Sequence, residues 1–479
     1  MEGSLERSLM SHIVPVEALV SSWSNTEGNV NTIESILEWI DELNSTTFAK
    51  VTETEVTNDS FWFYDDYAGE ILNRKRAFFS IKGIRMFDGA KFIKEQPIII
   101  QPEIGYLGII CKMIEHNGVN ELNLLMQAKI EPGNVNCVQI SPTIQATKSN
   151  FLRAHGGKLP AYFDMFASAG NGHSVIYDQV QSEQAARFFR KRNRNMIILV
   201  TDDIEVLPGF KWMTLGQLKE LMKHDNLVNM DTRTVISGIP FITSDLSSES
   251  LSNIQKQFTD QATFKSIFQS ISQEYLPNIY QSINDYKMFH DIRGVIVPLN
   301  QLVDWQVDSH GITSLKASDF DVRYYDIEIS GREVRHWTQP LFRALGQATF
   351  VLLSRIQNGI RQFLVKATPE IGAFDNVEIG PTVQWEPTHQ HGSDDAIERL
   401  VYEKLRAGAT TICDVVLSEE GGRFYHEQNR NVILQVEAAA VPPLPEGYQW
   451  VDLHTLNWLT QINNQLNIQL RNLISLLPL

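Results

Sequence analysis

Apolar and polar positions change period along this chain, and the changes mark out its elements. At residues 33–43 the apolar residues Ile33, Ile36, Leu37 and Ile40 recur at helical spacing, which predicts a helix that packs on a domain or on a partner subunit. Shorter runs follow at 62–64, 77–84, 98–101, 105–114 and 122–129 and read as strands, the last two joined through Asn117-Gly118 as a hairpin. Glu131-Pro132-Gly133-Asn134 turns the chain again, since Pro fixes φ and Gly or Asn accepts positive φ. The next strand, 135–140, puts Val138 and Ile140 on one face and Gln139 on the other. It ends in Ser141-Pro142-Thr143 and the polar run 145–150, with more donors and acceptors than packing requires. Ser182 reads as the N-cap of a helix over 183–191, and 193–200 as a strand. Thr214 and Gln217 form a capping-box signature for a helix over 215–224, and 231–237 reads as a short helix. Many strands, then a helix, a strand and helices, give a mixed α+β fold, an α/β/α sandwich, and not the regular alternation of a doubly wound sheet.

The pattern occurs twice. Ala128, Glu131, Gly133, Pro142-Thr143 and Gln145 are matched in order by Ala367, Glu370, Gly372, Pro381-Thr382 and Gln384. Trp62 and Asp65 match Trp305 and Asp308; Gln96-Pro97 matches Gln339-Pro340; Asn193-Arg194-Asn195 matches Asn429-Arg430-Asn431; Asn229 and Arg233 match Asn467 and Arg471. A period near half the chain is too long for a solenoid and predicts two copies of one domain. The boundaries expected are an N-terminal helical extension over 1–46, a first copy over 47–243, a helical connector over 244–286 and a second copy over 287–479.

Composition narrows the function. A formal charge of -16 argues against a general binder of nucleic acid or anionic membrane, which needs a basic surface, and leaves room for a local basic pocket. Cys111, Cys137 and Cys413 are far apart with no CxxC, so a reducing cytosol is expected; Met1 is followed by Glu2 and Glu6 with no apolar run, so no secretory signal is expected. No apolar run is long enough to span a bilayer. Histidine offers no metal spacing, Gly170-x-Gly172 lacks the third glycine of a dinucleotide loop, and no P-loop is present, so neither metal nor cofactor is expected.

The two copies differ in chemistry-bearing residues. Lys129, Arg153, His155, Tyr162, Tyr177 and Asp178 lack counterparts in the second copy, which makes the first the expected working half. Arg187 and Arg194 recur as Arg423 and Arg430 and read as structural, whereas Arg190 and Arg192 do not recur and are candidates for phosphate contact. Glu131 lies at the matched turn, and Glu183 at the start of the expected helix reads as a cap. Trp62 reads as core, with base stacking as its lesser alternative.

Several runs resemble the NDP-hexose 2,3-dehydratase family. They are 96–105 (QPIIIQPEIG), 126–129 (MQAK) with Glu131-Pro132-Gly133-Asn134, 141–147 (SPTIQAT), 181–184 (QSEQ), 191–196 (KRNRNM) and 228–235 (VNMDTRTV). The likeness is looser at 380–384 and 419–424. The chain departs from the family's pattern at Asn73 with Lys75-Arg76-Ala77, and at Ala185-Ala186. The resemblance implies a duplicated Nudix-like fold, a homodimer, a dTDP-linked 4-keto-6-deoxy sugar as substrate, no metal or redox cofactor, and one active pocket. Removing water across C2 and C3 of such a sugar requires a base at C3, a donor to the enolate oxygen and an acid for the C2 hydroxyl. The candidates are Lys129, Glu131, Tyr162 and Tyr177 for catalysis, and Trp62, Gln145, Thr147, Ser149, Asn150, Arg153, Arg190 and Arg192 for substrate binding. The rivals are a metal-dependent Nudix-type hydrolase, whose Gly-x5-Glu-x7-Arg-Glu-x-x-Glu-Glu pattern is absent from both copies, and a non-catalytic nucleotide-sugar binder.

Overall fold

Two seven-stranded mixed sheets with one strand order carry the fold. They are seen in a computed structural model that describes residues 16–152, 159–169, 173–241, 246–270, 275–330, 334–391 and 394–479. The first sheet is built from β1 (Gly105–His116), β2 (Val119–Ile130), β3 (Val138–Ser141), β4 (Ile144–Ala146), β5 (Ser174–Ser182), β6 (Arg192–Leu199) and β7 (Phe210–Met213). Its order is β5-β6-β1-β2-β7, with β3 on β2 and β4 on β1. The second sheet comprises β8 (Ala348–Gln357), β9 (Ile360–Pro369), β10 (Val377–Gly380), β11 (Val383–Trp385), β12 (Thr411–Ser418), β13 (Gln428–Gln435) and β14 (Tyr448–Asp452). Its order, β12-β13-β8-β9-β14 with β10 on β9 and β11 on β8, repeats the first. Each sheet has one parallel pair, with Gly105 opposite Asn193 in one and Ala348 opposite Asn429 in the other. Even the register break recurs, at Val175/Tyr177 and at Thr411/Cys413. In both sheets the central strands are almost continuously buried, because each face packs on helices or on the other half.

Two smaller sheets cover the ends of these, and each borrows an edge strand from the other half. Ala49–Glu53 pairs with Phe320–Ile329, and Ile292–Val297 pairs with Ser80–Asp88. Helices α1 (Val16–Ser24) and α2 (Ile33–Thr46) join a core that runs through both halves, and Thr32 caps α2 in a reciprocal bond with Ser35. The connector is helical at Ser248–Gln257, Gln261–Phe268 and Leu276–Phe289. The capping box at Thr214/Gln217 forms.

One expected helix does not. Residues 183–191 form an irregular loop, and the Ser182 hydroxyl, instead of capping, donates to Glu378 Oε2 of the other half at 2.6 Å. At the matched place Gln139 Nε2 donates to Ser418 Oγ at 2.7 Å. The guanidinium groups of Arg233 and Arg471 make the same exchange, the first bonding Ser418 O and the second Ser182 O. Arg233 lies in α3 (Met230–Ile236) and Arg471 in α4 (Ile468–Ser475), which pack together.

Glu378 is buried at this seam, and burial pushes its carboxyl up to about 8 from the ordinary 4.5, against the opposing hydrogen bond of Ser182. The folded state therefore keeps a proton that the unfolded chain releases. Its contribution to stability is full below about pH 4.5 and is lost towards pH 8, at up to roughly 1.4 kcal/mol per pH unit. Glu378→Gln copies the amide found at Gln139. It is expected to gain stability over the parent increasingly from pH 5 to pH 8 in denaturant titrations. A difference that is flat with pH would contradict this account.

Candidate active site

The turn between β2 and β3 carries the first group of polar side chains. Lys129, at the end of β2, places Nζ 3.3 Å from Glu131 Oε1 and donates to the Gln145 carbonyl at 3.2 Å. Gln145 Nε2 donates to the same Glu131 oxygen at 3.2 Å. Gln145 Oε1 in turn accepts from Asn229 Nδ2 and from Ser141 Oγ, each at 3.0 Å. Asn229 is itself fixed as the N-cap of α3, where its Oδ1 accepts from Thr232 N. Glu131 is thus held by a chain of neutral amides and one lysine.

The other half completes the site. Its loop 419–427 lies against the turn, with Gly133 N donating to Gly421 O at 2.7 Å and His426 N donating to Gly133 O at 2.9 Å. The approach requires glycine: a Cβ on Gly133 would stand 1.6 Å from Phe424 O. The loop delivers Glu420 and Arg423. A Cβ on Gly422 would stand 2.5 Å from Glu420 Oε1 and 3.4 Å from Glu131 Oε1, so the two carboxylates flank one small space. Arg423 stacks over Phe79 at 4.3 Å and donates to Gln101 Oε1 at 3.3 and 3.2 Å. Gln101 Nε2 continues to Glu103, whose carboxylate also accepts from Ser149 N and Oγ. Lys191, on the loop 183–191, donates to Glu103 O and to Asn193 Oδ1, while Asn193 Nδ2 donates to Glu183 Oε1 at 2.7 Å. The capping role expected for Glu183 is therefore replaced by a place in this network.

The electrostatics separate the carboxyls. Burial, then the adjacent charge of Glu131, pushes Glu420 up to about 7, with Arg423 and Lys129 opposing. Asp231, in the first turn of α3 and 3% exposed, is raised well above the carboxylate range by burial and by Glu420, Glu183 and Glu131. Glu183 is raised by burial against the pull of Lys191 and Arg471. Lys191 is lowered by burial, with Glu183 and Glu103 opposing. An acid raised well above the carboxylate range and a carboxyl poised near neutrality are thus gathered with Lys129 and Lys191, the arrangement that acid–base chemistry at one carbon chain requires.

The matched place in the other half keeps the frame and carries different side chains, with Glu386, Lys94 and Arg187 acting on Glu370. Gly372 N donates to Ala185 O and Arg190 N to Gly372 O, so the loop 183–191 crosses there in return. Arg187 stacks over Phe320 at 4.3 Å and pairs with Glu386 at 3.0 Å, as Arg423 stacks on Phe79. Glu370 occupies the turn, pushed up to about 7 by burial and by Glu386. Thr368 replaces Lys129, Gln184 replaces Glu420, Ala186 replaces Gly422, Gln469 replaces Asp231 and Glu427 replaces Lys191.

Of the residues singled out in the sequence, Lys129, Glu131 and Gln145 come together, and Ser149 bonds Glu103 at the edge of the group. Thr147 begins the short helix Lys148–Phe151 with its Oγ1 buried and unbonded among the described residues, and Asn150 is exposed in that helix. Others are placed elsewhere. Tyr177 is 2% exposed in the central core; its hydroxyl donates to Thr460 O and accepts from Gln181, and burial pushes it up to about 12. Tyr162 closes a loop, its hydroxyl donating to Glu205 O and accepting from Leu207 N. Trp62 packs against Phe79 in an apolar cluster, with no face for a base. Arg190 stacks on Phe189 and Arg192 on Phe374, so both lie towards the other half's turn and not beside Glu131. Arg153 lies outside the described residues. Asp231, Glu420, Arg423 and Lys191 were missed as site residues. The replacements Asp231/Gln469 and Lys191/Glu427 are a signal of the same kind that pointed to Lys129. Glu420 and Arg423 were hidden by treating each half as self-contained.

Among the described residues no three His, Cys, Asp or Glu side chains converge closely enough to hold a metal ion, and no helix is long and apolar enough to cross a membrane.

Comparison with known proteins gives a consistent picture. The family described as NDP-hexose 2,3-dehydratase matches residues 33–239 and 276–477. Three relatives named dTDP-4-dehydro-6-deoxy-alpha-D-glucopyranose 2,3-dehydratase are similar over most of their length. The one from Saccharopolyspora spinosa is 38% identical over 87% of this chain and 85% of its own. Those from Streptomyces violaceoruber and Amycolatopsis orientalis are 35% and 32% identical over 91% and 96% of this chain, and over 95% and 93% of their own. The crystal structure of an ADP compounds hydrolase overlaps 32% of this chain and 77% of its own with a TM-score of 0.18 and 16% identity, too little to bear on the fold.

Proposed function

This chain belongs to the NDP-hexose 2,3-dehydratase family, and we propose that it removes water across C2 and C3 of dTDP-4-keto-6-deoxy-D-glucose. The observation that carries the reading is the pair Glu131 and Glu420, one carboxylate from each half flanking one space, with Asp231, its carboxyl raised well above the usual range, acting on the same group. The substrate's own ketone acidifies the C3 proton. Glu420 takes it, and electrons move to the C4 oxygen as an enolate. The enolate collapses to C2=C3, the C2–O bond breaks, and Asp231 protonates the departing hydroxyl, which leaves as water. The resulting enol tautomerises to a 3,4-diketo-2,6-dideoxy sugar. Lys129 holds Glu131 in place, and the two act in opposite senses on Glu420, which sets the basicity of Glu420.

The same reading takes the two halves as Nudix-like copies of one ancestral domain, the first carrying the chemistry, in a cytoplasmic homodimer. The shared strand order, the shared register break and the paired turn residues support duplication. The metal-dependent hydrolase is disfavoured because its clustered-glutamate helix has no counterpart in either half. The test is incubation with dTDP-4-keto-6-deoxy-D-glucose, with and without EDTA. A diketo product at equal rates in both is expected. Loss on chelation with recovery in Mg²⁺, or release of a sugar phosphate, would restore the hydrolase reading, and binding without any product would leave a nucleotide-sugar binder.

A further inference from the structure

Lys191 is 5% exposed, yet it forms no ion pair with any carboxylate of the described residues. Its two contacts are neutral oxygens, the Glu103 carbonyl and Asn193 Oδ1, the latter at 2.9 Å. An ammonium has three N–H donors, so one is uncommitted. Glu183, Glu103 and Glu420 act on its charge from beyond bonding distance, so the third N–H is left for a ligand oxygen. Lys129 differs, since Glu131 already answers its charge.

The surroundings decide which charge. Glu183, Glu103 and Glu420 all act on Lys191, and Glu131 and Asp231 share the same group. A diphosphate, carrying at least two charges, would add to the negative charge that Glu183, Glu103 and Glu420 already place on Lys191. A single oxygen that becomes anionic only during reaction would add none on binding. Glu420, which faces C3 in the proposed reaction, is among the groups acting on Lys191, so a base for C3 and a donor for the neighbouring C4 oxygen lie together. In the other half the frame is kept, Asn429 Nδ2 bonding Glu419 Oε1 at 2.7 Å as Asn193 bonds Glu183, but Glu427 stands where Lys191 would. A carboxyl there, pushed up to about 8 by burial, brings no positive charge to an enolate.

We infer that Lys191 is a catalytic residue whose third N–H bonds the C4 oxygen of the sugar and stabilises the enolate formed when the C3–H bond breaks. The inference rests on the dehydratase reading. In the step, the C3–H pair forms C3=C4, the carbonyl π pair moves to the C4 oxygen facing Lys191, and the proton goes to Glu420; nothing is oxidised or reduced.

The experiment uses the full chain, first showing turnover by the parent enzyme. Failure there would count against the dehydratase reading itself. Lys191→Met is then compared by kcat, by dTDP affinity in calorimetry, and by C3 hydrogen–deuterium exchange in the 2-deoxy analogue of the substrate, which enolises but cannot lose water. The expected result is a kcat and an exchange rate both lower by about 10²–10³-fold, the effect of removing one oxyanion donor, with dTDP affinity within about threefold. If dTDP affinity falls tenfold or more while exchange in the bound analogue persists, Lys191 is a diphosphate ligand and the inference is overturned. Unchanged kcat overturns it equally. Should Lys191→Met fail to fold by circular dichroism, Lys191→Gln, which keeps an amide donor towards the Glu103 carbonyl, is expected to show the same paired loss.

Discussion

Glu420→Gln is expected to lower kcat by about 10³-fold with KM changed by less than a few-fold, the range for removing a general base. The residue lies far along the chain from Glu131, in the other half. Its place is nevertheless set by Gly421 and Gly422, which let the loop 419–427 come against Gly133. The amide keeps the shape and removes proton transfer, so the loss reports chemistry and not packing. The pH profile carries the sign. Glu420 is pushed up to about 7 and acts as a base, so it is competent only once deprotonated. The parent's kcat should therefore rise with pH towards a plateau above about 7, and the residual rate of the variant should lack this limb. Lys129→Ala, which removes a cation that stabilises the charged form, should move the limb to higher pH. A variant Glu420→Gln that keeps kcat within threefold, or a parent profile flat from pH 5.5 to 8, would remove the carboxylate pair from the mechanism.

The fold was legible where local rules act alone. The helix at Ile33–Thr46, the capping box at Thr214 and the hairpin at Glu131 each rest on spacing or turn chemistry within a few residues, and each forms. The repeated strand order was legible because paired turn residues keep one sequence. What failed was the loop 183–191. Its sequence has a cap signal and helix formers, but Gln184, Ala185 and Arg187 bond across to the other half instead: Gln184 Nε2 to Glu419, Ala185 O to Gly372 N, Arg187 to Glu386. Tertiary bonds outweigh a helix propensity that is weak over so short a segment. The site followed the same division. Lys129, Glu131 and Gln145 belong to one hairpin and were found together. Glu420 and Arg423 come from an exchange between halves that no local pattern announces. Tyr177 stood out only because it lacks a partner in the repeat, and absence of a partner marks packing differences as readily as chemistry: its ring fills the space beside Gly238.

The last expectation assigns the chemistry to the first site. Paired substitutions separate the two places while treating each turn alike. Glu131→Gln and Asp231→Asn are expected to cost at least 10²-fold in kcat, and Glu370→Ala and Gln384→Ala less than about threefold, each with folding checked by circular dichroism. The two turns share a frame and differ in what surrounds it. Both have a glutamate, both have the amide that follows it on β4 or β11, and both have an asparagine N-cap behind that amide: Gln145 with Asn229, Gln384 with Asn467 at 2.7 Å. That common frame is structural, because it survives where the rest does not. Around Glu131 stand Lys129, Glu420, Asp231 and Lys191; around Glu370 the same positions hold Thr368, Gln184, Gln469 and Glu427. An acid, a base and two cations are replaced by a hydroxyl, two amides and a carboxylate. Glu370 is pushed up to about 7 as Glu420 is, so a shifted carboxyl alone does not mark the working site. What differs is the set of neighbours: Asp231 and Lys129 act on Glu420 and Glu131 at the first turn, and Glu386 and Lys94 act on Glu370 at the second. If Glu370→Ala abolished turnover while Glu131→Gln and Asp231→Asn left it intact, the working site would lie at the second turn, and the groups gathered at the first would have to serve binding or stability alone.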